Sequence, residues 1–274
     1  MVDRILAIAP PGGMDPSTFA IYNSINALGG TTKKQWWPGW EITGSVLTGF
    51  GTAGDLVPSD EGGAVTLEAE FIPIFEGRNA SVHLYRFTGD NNRHLLLADH
   101  ADLSYEADDE PFSGAMWVLP MGTAYAALQT LFAKYNEGVA TEYSFHLTST
   151  GLLQLDLYDG TDGATGNLRY TALSGPELHQ CSLVGFSYAG DEGEVDFFVN
   201  GERTDGAGIA AVETSAYANM DDTAATFMVG GRDDGGVPDD LLDAWASAPI
   251  IRGGAWTELE HRQLFNHWRN LVGV

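Results

Sequence analysis

The chain has 274 residues, enough for one large sandwich or two small domains, and a hydrophobic content of 44% permits an ordinary buried core. Its 38 acidic residues against 13 basic ones give a formal charge of -25. That surface repels phosphate backbones and anionic lipid alike, which excludes a compact nucleic-acid binder and a polybasic membrane docker. High salt would screen the self-repulsion, so a saline environment and plain acidic solubility both fit the charge.

Glycine (34 residues) and proline (11 residues) punctuate the chain so often that an all-β protein is expected. Cys181 stands alone, so no intrachain disulfide can form, and its place before an apolar strand marks a small buried or half-buried hydrophobe. The N-terminal "MVDRILAIAPP" lacks the basic lead and the length of a signal-peptide core, and no stretch approaches the ~20 apolar residues of a membrane span. Synthesis in the cytoplasm without general export is the expectation.

Along the chain, residues 3–9 suggest a short strand and residues 17–28 a helix capped by Ser17. Trp36, Trp37 and Trp40 then cluster around Pro38-Gly39. They suit core or arm packing, a protein interface or a sugar-stacking platform. From residue 64 the pattern turns to strands: "AVTLEAEFIPIF", "SVHLYRF", "RHLLLAD" and "FSGAMWVLP". "YAALQTLFAKYN" has a helical composition, yet its neighbours make at least Gln129 to Lys134 a strand. "EYSFHLTST" and "LLQLDLYDG" predict a hairpin around Thr150-Gly151, with Leu153, Leu155 and Leu157 on one face and Gln154 and Asp156 on the other.

"LVGFSYAGDEGEVDFFVNGE" is the clearest hairpin. Val195, Phe197 and Val199 alternate with Glu194, Asp196 and Phe198, the two-residue period of a half-buried strand. Asn200-Gly201 accepts the positive φ of a tight type I′ turn. On this reading Glu192, Glu194 and Asp196 belong to a solvated turn and strand face rather than to a catalytic cluster. The last element, "TELEHRQLFNHWRNL", is a helix: Thr257 and Glu260 form a capping box, and Leu259, Leu264 and Trp268 are its expected buried side.

The stretch "HQCSLVGFSYAGDEGEVDFFVNGERTDG" resembles the central hairpin of the laminin-G-like, concanavalin A-like jelly rolls. "YRFTGDNNRHLLLADHADLSYEADDEPFSGAMWV", "TLFAKYNEGVATEYSFHLTSTGLLQLDLYDG" and "FMVGGRDDGG…DDLLDAWASAPIIRGGAWTELEHRQLFN" are similar to flanking segments of that family, in order. The match runs roughly from 80 to 272 and departs from the pattern at Trp245 to Ala248, where a more hydrophobic strand is expected. The resemblance implies a β-sandwich of two antiparallel sheets with a C-terminal helix, formed by residues 79–274. Residues 1–78 are then an N-terminal arm or small extension, read as an attachment or oligomer-forming segment that also has the option of completing the sandwich.

Relatives that cleave sugars carry two carboxylates on one sheet, one to donate a proton and one to attack or to activate water. Glu192 precedes a turn glycine and Asp196 alternates with core residues, so no enzyme is expected here. Asp233, Asp234, Asp239 and Asp240, with Asp243 beyond, form an acidic loop. The family sometimes holds calcium near a sheet rim, so these are the candidate calcium ligands, although their spacing is not that of a regular calcium-binding loop; no other cofactor is expected. His261 and His267 stand six apart, which does not align two zinc ligands on a helix.

The family works chiefly outside cells, whereas this chain shows no export signal. A protein carried out on an assembled particle reconciles the two. The leading expectation is therefore a virion structural protein, a capsid decoration or surface protein of a tailed phage, with other virion proteins and copies of itself as partners. A carbohydrate-binding or adhesion module that contacts a cell-surface glycan is the alternative, and a glycoside hydrolase comes last.

Overall fold

The computed structural model describes residues 84–89, 93–105, 109–159, 167–204, 209, 211–213, 217–220 and 223–272, together with the backbone of short strands between 34 and 70. Two antiparallel sheets pack face to face. In the first, the strand order is Glu202–Arg203, Val195–Val199, Ser182–Tyr188, Phe112–Pro120, Ala244–Ala246, Leu84–Phe87 and Ala69–Glu70. Ile250–Gly253 also pairs with Phe112–Pro120, and Lys34–Trp36 pairs with Ile250–Gly253. The second sheet runs Val212–Glu213, Asn167–Thr171, Leu153–Tyr158, Ala140–Leu147, Gln129–Asn136, Phe227–Val229, His94–Leu97 and Val57–Ser59. The fold is a jelly-roll β-sandwich.

The core lies between the sheets, because alternate residues of each strand point inward. Phe112, Met116, Val184, Phe186, Val195 and Phe197 of the first sheet meet Phe132, Tyr143, Phe145, Leu153, Leu155 and Leu157 of the second. Phe186 contacts both Phe145 and Phe132, with ring centroids 4.9 and 6.2 Å away. The expected hairpin around Thr150-Gly151 is present, with Leu155 opposite Phe145 and Leu157 opposite Tyr143. Gln129–Asn136 is a strand as its neighbours required. Where a longer hydrophobic strand was expected near Trp245, Ala244–Ala246 is a three-residue strand whose small Ala244 and Ala246 reach the core while Trp245 between them is half-buried on the other face.

Asn200 (φ 55°) and Gly201 (φ 80°) make the predicted turn, and the Asn200 Oδ1 accepts from the Leu183 N–H at 2.9 Å. The strand before it is less solvated than its pattern suggests. Phe198 is 1% exposed because the C-terminal helix Glu258–Val272 covers the outer face of the first sheet. His261 stacks on Phe198 with ring centroids 3.7 Å apart, and its Nε2 lies 2.9 Å from the Ser187 hydroxyl.

The helix cap is as read from sequence. The Thr257 N–H donates to Glu260 and the Glu260 N–H donates to the Thr257 hydroxyl. Its buried face differs: Leu264 and Trp268 are buried, but Leu259 is 60% exposed and His261 takes the expected place. His261, Leu264 and Trp268 follow the helical spacing of three and four residues, while Leu259 falls on the opposite side.

The strand expected at residues 3–9 and the helix expected at residues 17–28 lie outside the described residues. From the first 78 residues, Val57–Ser59 pairs with His94–Leu97, and Ala69–Glu70 pairs with Leu84–Phe87.

Candidate functional site

A pocket of about 250 Å³ opens where the central hairpin turns, lined by Asp109, Asp191, Glu192, Ala218 and Asn219. Three segments distant in sequence build it: the residues before Phe112–Pro120, the 189–194 turn and the stretch 217–220. Ala189 and Glu194 close the turn through an N–H···O bond of 3.2 Å, and Gly193 N–H donates to the Gly190 carbonyl at 2.8 Å. Gly190 passes so near Asp109 that a side chain there would sit 2.7 Å from the Asp109 carbonyl oxygen.

Asp109 is the floor of this pocket and is 3% exposed. Its Oδ1 accepts from the Tyr217 hydroxyl at 2.8 Å and from the Met220 N–H at 2.7 Å, while Tyr188 donates to Oδ2 at 3.2 Å. The Tyr188 oxygen in turn accepts from the Glu192 N–H at 2.9 Å. Burial first, and then the Asp109 charge, drive the Tyr188 and Tyr217 hydroxyls far above the ordinary tyrosine range, so both stay protonated donors. Asp109, Asp191 and Glu192 all have φ between 51° and 54°. Left-handed backbone at non-glycine residues carries strain of about 1 kcal/mol or more each and gathers at functional sites. Above this fixed floor the Asp191, Glu192 and Asn219 side chains are solvent-facing acceptors and donors.

A second polar array lies on the outer face of the second sheet, on the side of Leu153–Tyr158 that carries Gln154 and Asp156. Both are buried, together with Ser144, His146 and Thr130. Arg169 grips Asp156 with two N–H···O bonds of 2.8 and 3.0 Å, and Gln154 donates to both Asp156 oxygens. Ser144, His146 and Asp156 come together here, but not as a nucleophile relay. The relay needs the serine and the acid on opposite ring nitrogens. Here the Ser144 hydroxyl is 2.5 Å and Asp156 3.7 Å from the same Nε2, and Nδ1 faces Thr130 at 3.2 Å. Burial depresses the His146 pKa to about 4, so the ring is neutral at pH 7 and fully enclosed.

The predicted site residues are dispersed. Asp196 pairs with Arg203 on the helix side of the first sheet, at 2.5 Å, and burial outweighs that pairing to push its carboxyl up. Of Glu192, Glu194 and Asp196, Glu192 lines the pocket, beside Asp191. Asp233, Asp234 and Asp239 lie on the hairpin Arg232–Asp234 with Val237–Asp239, and Asp240 follows it. Arg232 faces Asp240 at 2.9 Å and Asp239 at 3.7 Å, and Asp233 accepts from the Gly236 N–H at 2.6 Å. Among the described residues no group of three or more His, Cys, Asp or Glu side chains is arranged to hold a metal ion. Trp36 ends the strand opposite Ile250, while Trp37 and Trp40 lie outside the described residues. Sequence reading missed Asp109, Tyr188, Tyr217 and Asn219: Tyr188 ends a strand and the other three lie outside strands, with no local pattern that joins them.

No protein-family model matches the sequence, and no curated protein does. Solved structures do match the fold. The binding domain of botulinum neurotoxin serotype D/C VPI 5993 aligns at a TM-score of 0.57 and 12% identity, over 87% of this chain and 53% of that one. The binding domain of botulinum neurotoxin DC, solved with rat synaptotagmin II, aligns at 0.55 and 12% identity, over 86% and 52%. A botulinum neurotoxin type C structure, from a toxin whose cell entry depends on two ganglioside molecules, aligns at 0.54 and 12% identity, over 86% and 52%. The chain thus spans about half the length of the structures it matches. At these identities the likeness is one of fold.

Proposed function

We propose that the chain is a non-catalytic carbohydrate-binding module that takes a neutral sugar in the pocket above Asp109. The observation that carries this reading is the pocket's construction: a carboxylate held rigid by three donors, with Asp191, Glu192 and Asn219 offered to solvent around it. Carboxylates accept from sugar hydroxyls, and an amide both donates and accepts. Sites for drug-sized ligands occupy roughly 300–1,000 Å³, so a pocket of about 250 Å³ suits one terminal sugar rather than a long chain.

Neutral sugars follow from charge. The pocket lining holds three acids and no base, within a chain of formal charge -25. A sialylated glycan would bring its own carboxylate to that lining without a cation to meet it. One matched structure belongs to a toxin whose cell entry depends on two ganglioside molecules, and another is a toxin binding domain in complex with rat synaptotagmin II, which supports recognition of a cell surface in general terms. The capsid-decoration role expected from sequence draws no comparable support from the matched structures.

A glycan array carrying neutral and sialylated chains tests the reading. Retention of neutral glycans is expected, with at least a tenfold loss in a variant carrying Asp191→Asn and Glu192→Gln and no change in its melting temperature. Retention of no glycan, or a preference for sialylated ones, would overturn it.

A further inference from the structure

A chain with three lysines sends one of them into the sandwich: Lys134 is 0% exposed. It stands two residues after Phe132 on Gln129–Asn136, opposite Phe227 on one side and Tyr143 on the other. Those three aromatic residues belong to the core, so alternation points the lysine inward with them. Its ammonium meets Glu142, the Asp99 Oδ1 at 2.8 Å, the Ser104 hydroxyl at 2.7 Å and the Thr223 carbonyl at 3.0 Å.

The two acids on this ammonium are not alike. Glu142 is 0% exposed and occupies the extra position of a β-bulge, where the register slips between Thr141 and Tyr143. Its Oε1 accepts from the Thr223 N–H at 3.1 Å and the Thr223 hydroxyl at 3.0 Å, while its Oε2 is buried with no hydrogen-bond partner. An ionised oxygen buried without a donor is costly, and a proton on the carboxyl relieves that cost. Burial pushes the Glu142 carboxyl up to about 7, against the pull of Lys134 and Thr223, so near neutrality it can both take and give a proton. Asp99 lies two residues beyond the strand His94–Leu97, and its side chain is 40% exposed. An oxygen lost from Asp99 therefore has a way out to solvent, whereas one lost from Glu142 does not.

We propose that Lys134 and Asp99 condense to an intramolecular amide, with Glu142 as the proton carrier. The Lys134 Nζ forms a bond to the Asp99 Cγ, and one Cγ–O bond of Asp99 breaks. The freed oxygen leaves as water with two of the three ammonium protons. Both pass through Glu142, which ends in the state in which it began. Nothing is oxidised or reduced, and no co-reactant is needed. The step is assisted by fixed geometry, since well-oriented intramolecular partners reach effective concentrations of roughly 10⁵–10⁸ M. It is also driven by burial, because a neutral amide replaces an ammonium held out of water.

The bond ties the chain just after His94–Leu97 to Gln129–Asn136, across the strand Phe227–Val229 that lies between them in the second sheet. It closes the segment 99–134 into a loop that survives unfolding, the constraint that a disulfide supplies in other chains and that a single cysteine cannot supply here. This inference stands apart from the sugar-binding reading and uses none of its residues.

Mass spectrometry of the denatured full chain reads the bond directly. The wild type should be lighter than its sequence by one water. Lys134→Arg, Asp99→Ala and Glu142→Gln should each have their full sequence mass, a difference that a mere ion pair would not produce. Chymotryptic digestion of the wild type should release a branched peptide that joins Asp99 to Lys134. A folded wild type at full sequence mass would overturn the proposal. A water loss that persists in Asp99→Ala would overturn the assignment of the acyl partner, and one that persists in Glu142→Gln would overturn the proton carrier. Should a variant fail to fold, the wild-type mass and its branched peptide still decide.

Discussion

Acid should weaken the seal between helix and sheet through a single side chain. His261 is 1% exposed between Phe198 and Trp256, and burial, aided by the nearby Arg252 charge, depresses its pKa to about 3. In the unfolded chain an imidazole titrates near 6.5. Between those values the unfolded state binds the extra proton, so stability is full above about pH 6.5 and is lost as pH falls toward 3. Integrating from pH 7.5 to 4.5 gives a loss of about 3 kcal/mol for this group alone.

Glu142 works in the opposite direction over the same range, because its folded pKa of about 7 lies above the unfolded value. The wild-type curve therefore mixes both effects, and His146, depressed to about 4, adds a further loss in acid. His261→Phe removes the titration while keeping an aromatic ring on Phe198, and Ser187 retains the Ser113 hydroxyl at 3.1 Å. Any packing cost of the phenyl ring is the same at both pH values and cancels in the difference. Urea unfolding at pH 7.5 and 4.5 should show the variant losing about 3 kcal/mol less than wild type on acidification. Equal losses in the two proteins would refute a neutral, sealed His261.

Two further substitutions probe the core and the pocket floor. Gly114→Ala would place its Cβ 2.7 Å from the Phe132 ring and 3.0 Å from Phe186, so it should destabilise by about 1–3 kcal/mol in urea unfolding; a neutral outcome would mean the two rings repack freely. Tyr217→Phe keeps the ring but removes one donor to the buried Asp109, which should cost roughly 1.5–3 kcal/mol in thermal unfolding at pH 7. A loss much below 1 kcal/mol would show that the Met220 N–H and Tyr188 alone satisfy the carboxylate.

Local patterns carried the fold because each is a rule about one element. Leu153, Leu155 and Leu157 alternate, and all three are buried in the sandwich. Asn200-Gly201 can hold positive φ, and the hairpin turns there. Thr257 and Glu260 stand three apart, and they cap the helix. Alternation does not say what lies beyond the polar face, however. Alternation puts Gln154 and Asp156 only on the face opposite the leucines, and there they sit in a closed network with Arg169. Phe198 read as the outer side of a strand, yet a helix 60 residues later covers it.

The pocket had even less to announce it. Asp109, Glu192 and Asn219 are more than 100 residues apart end to end, and nothing in their spacing joins them. Sequence determined the strands, the turns, the cap and the acidic surface, since each depends on neighbours within a few residues. Tertiary structure alone decided which acids stand free and which are bound. That choice depends on which loops the sandwich brings to one end, and on a bulge that swings Glu142 onto Lys134.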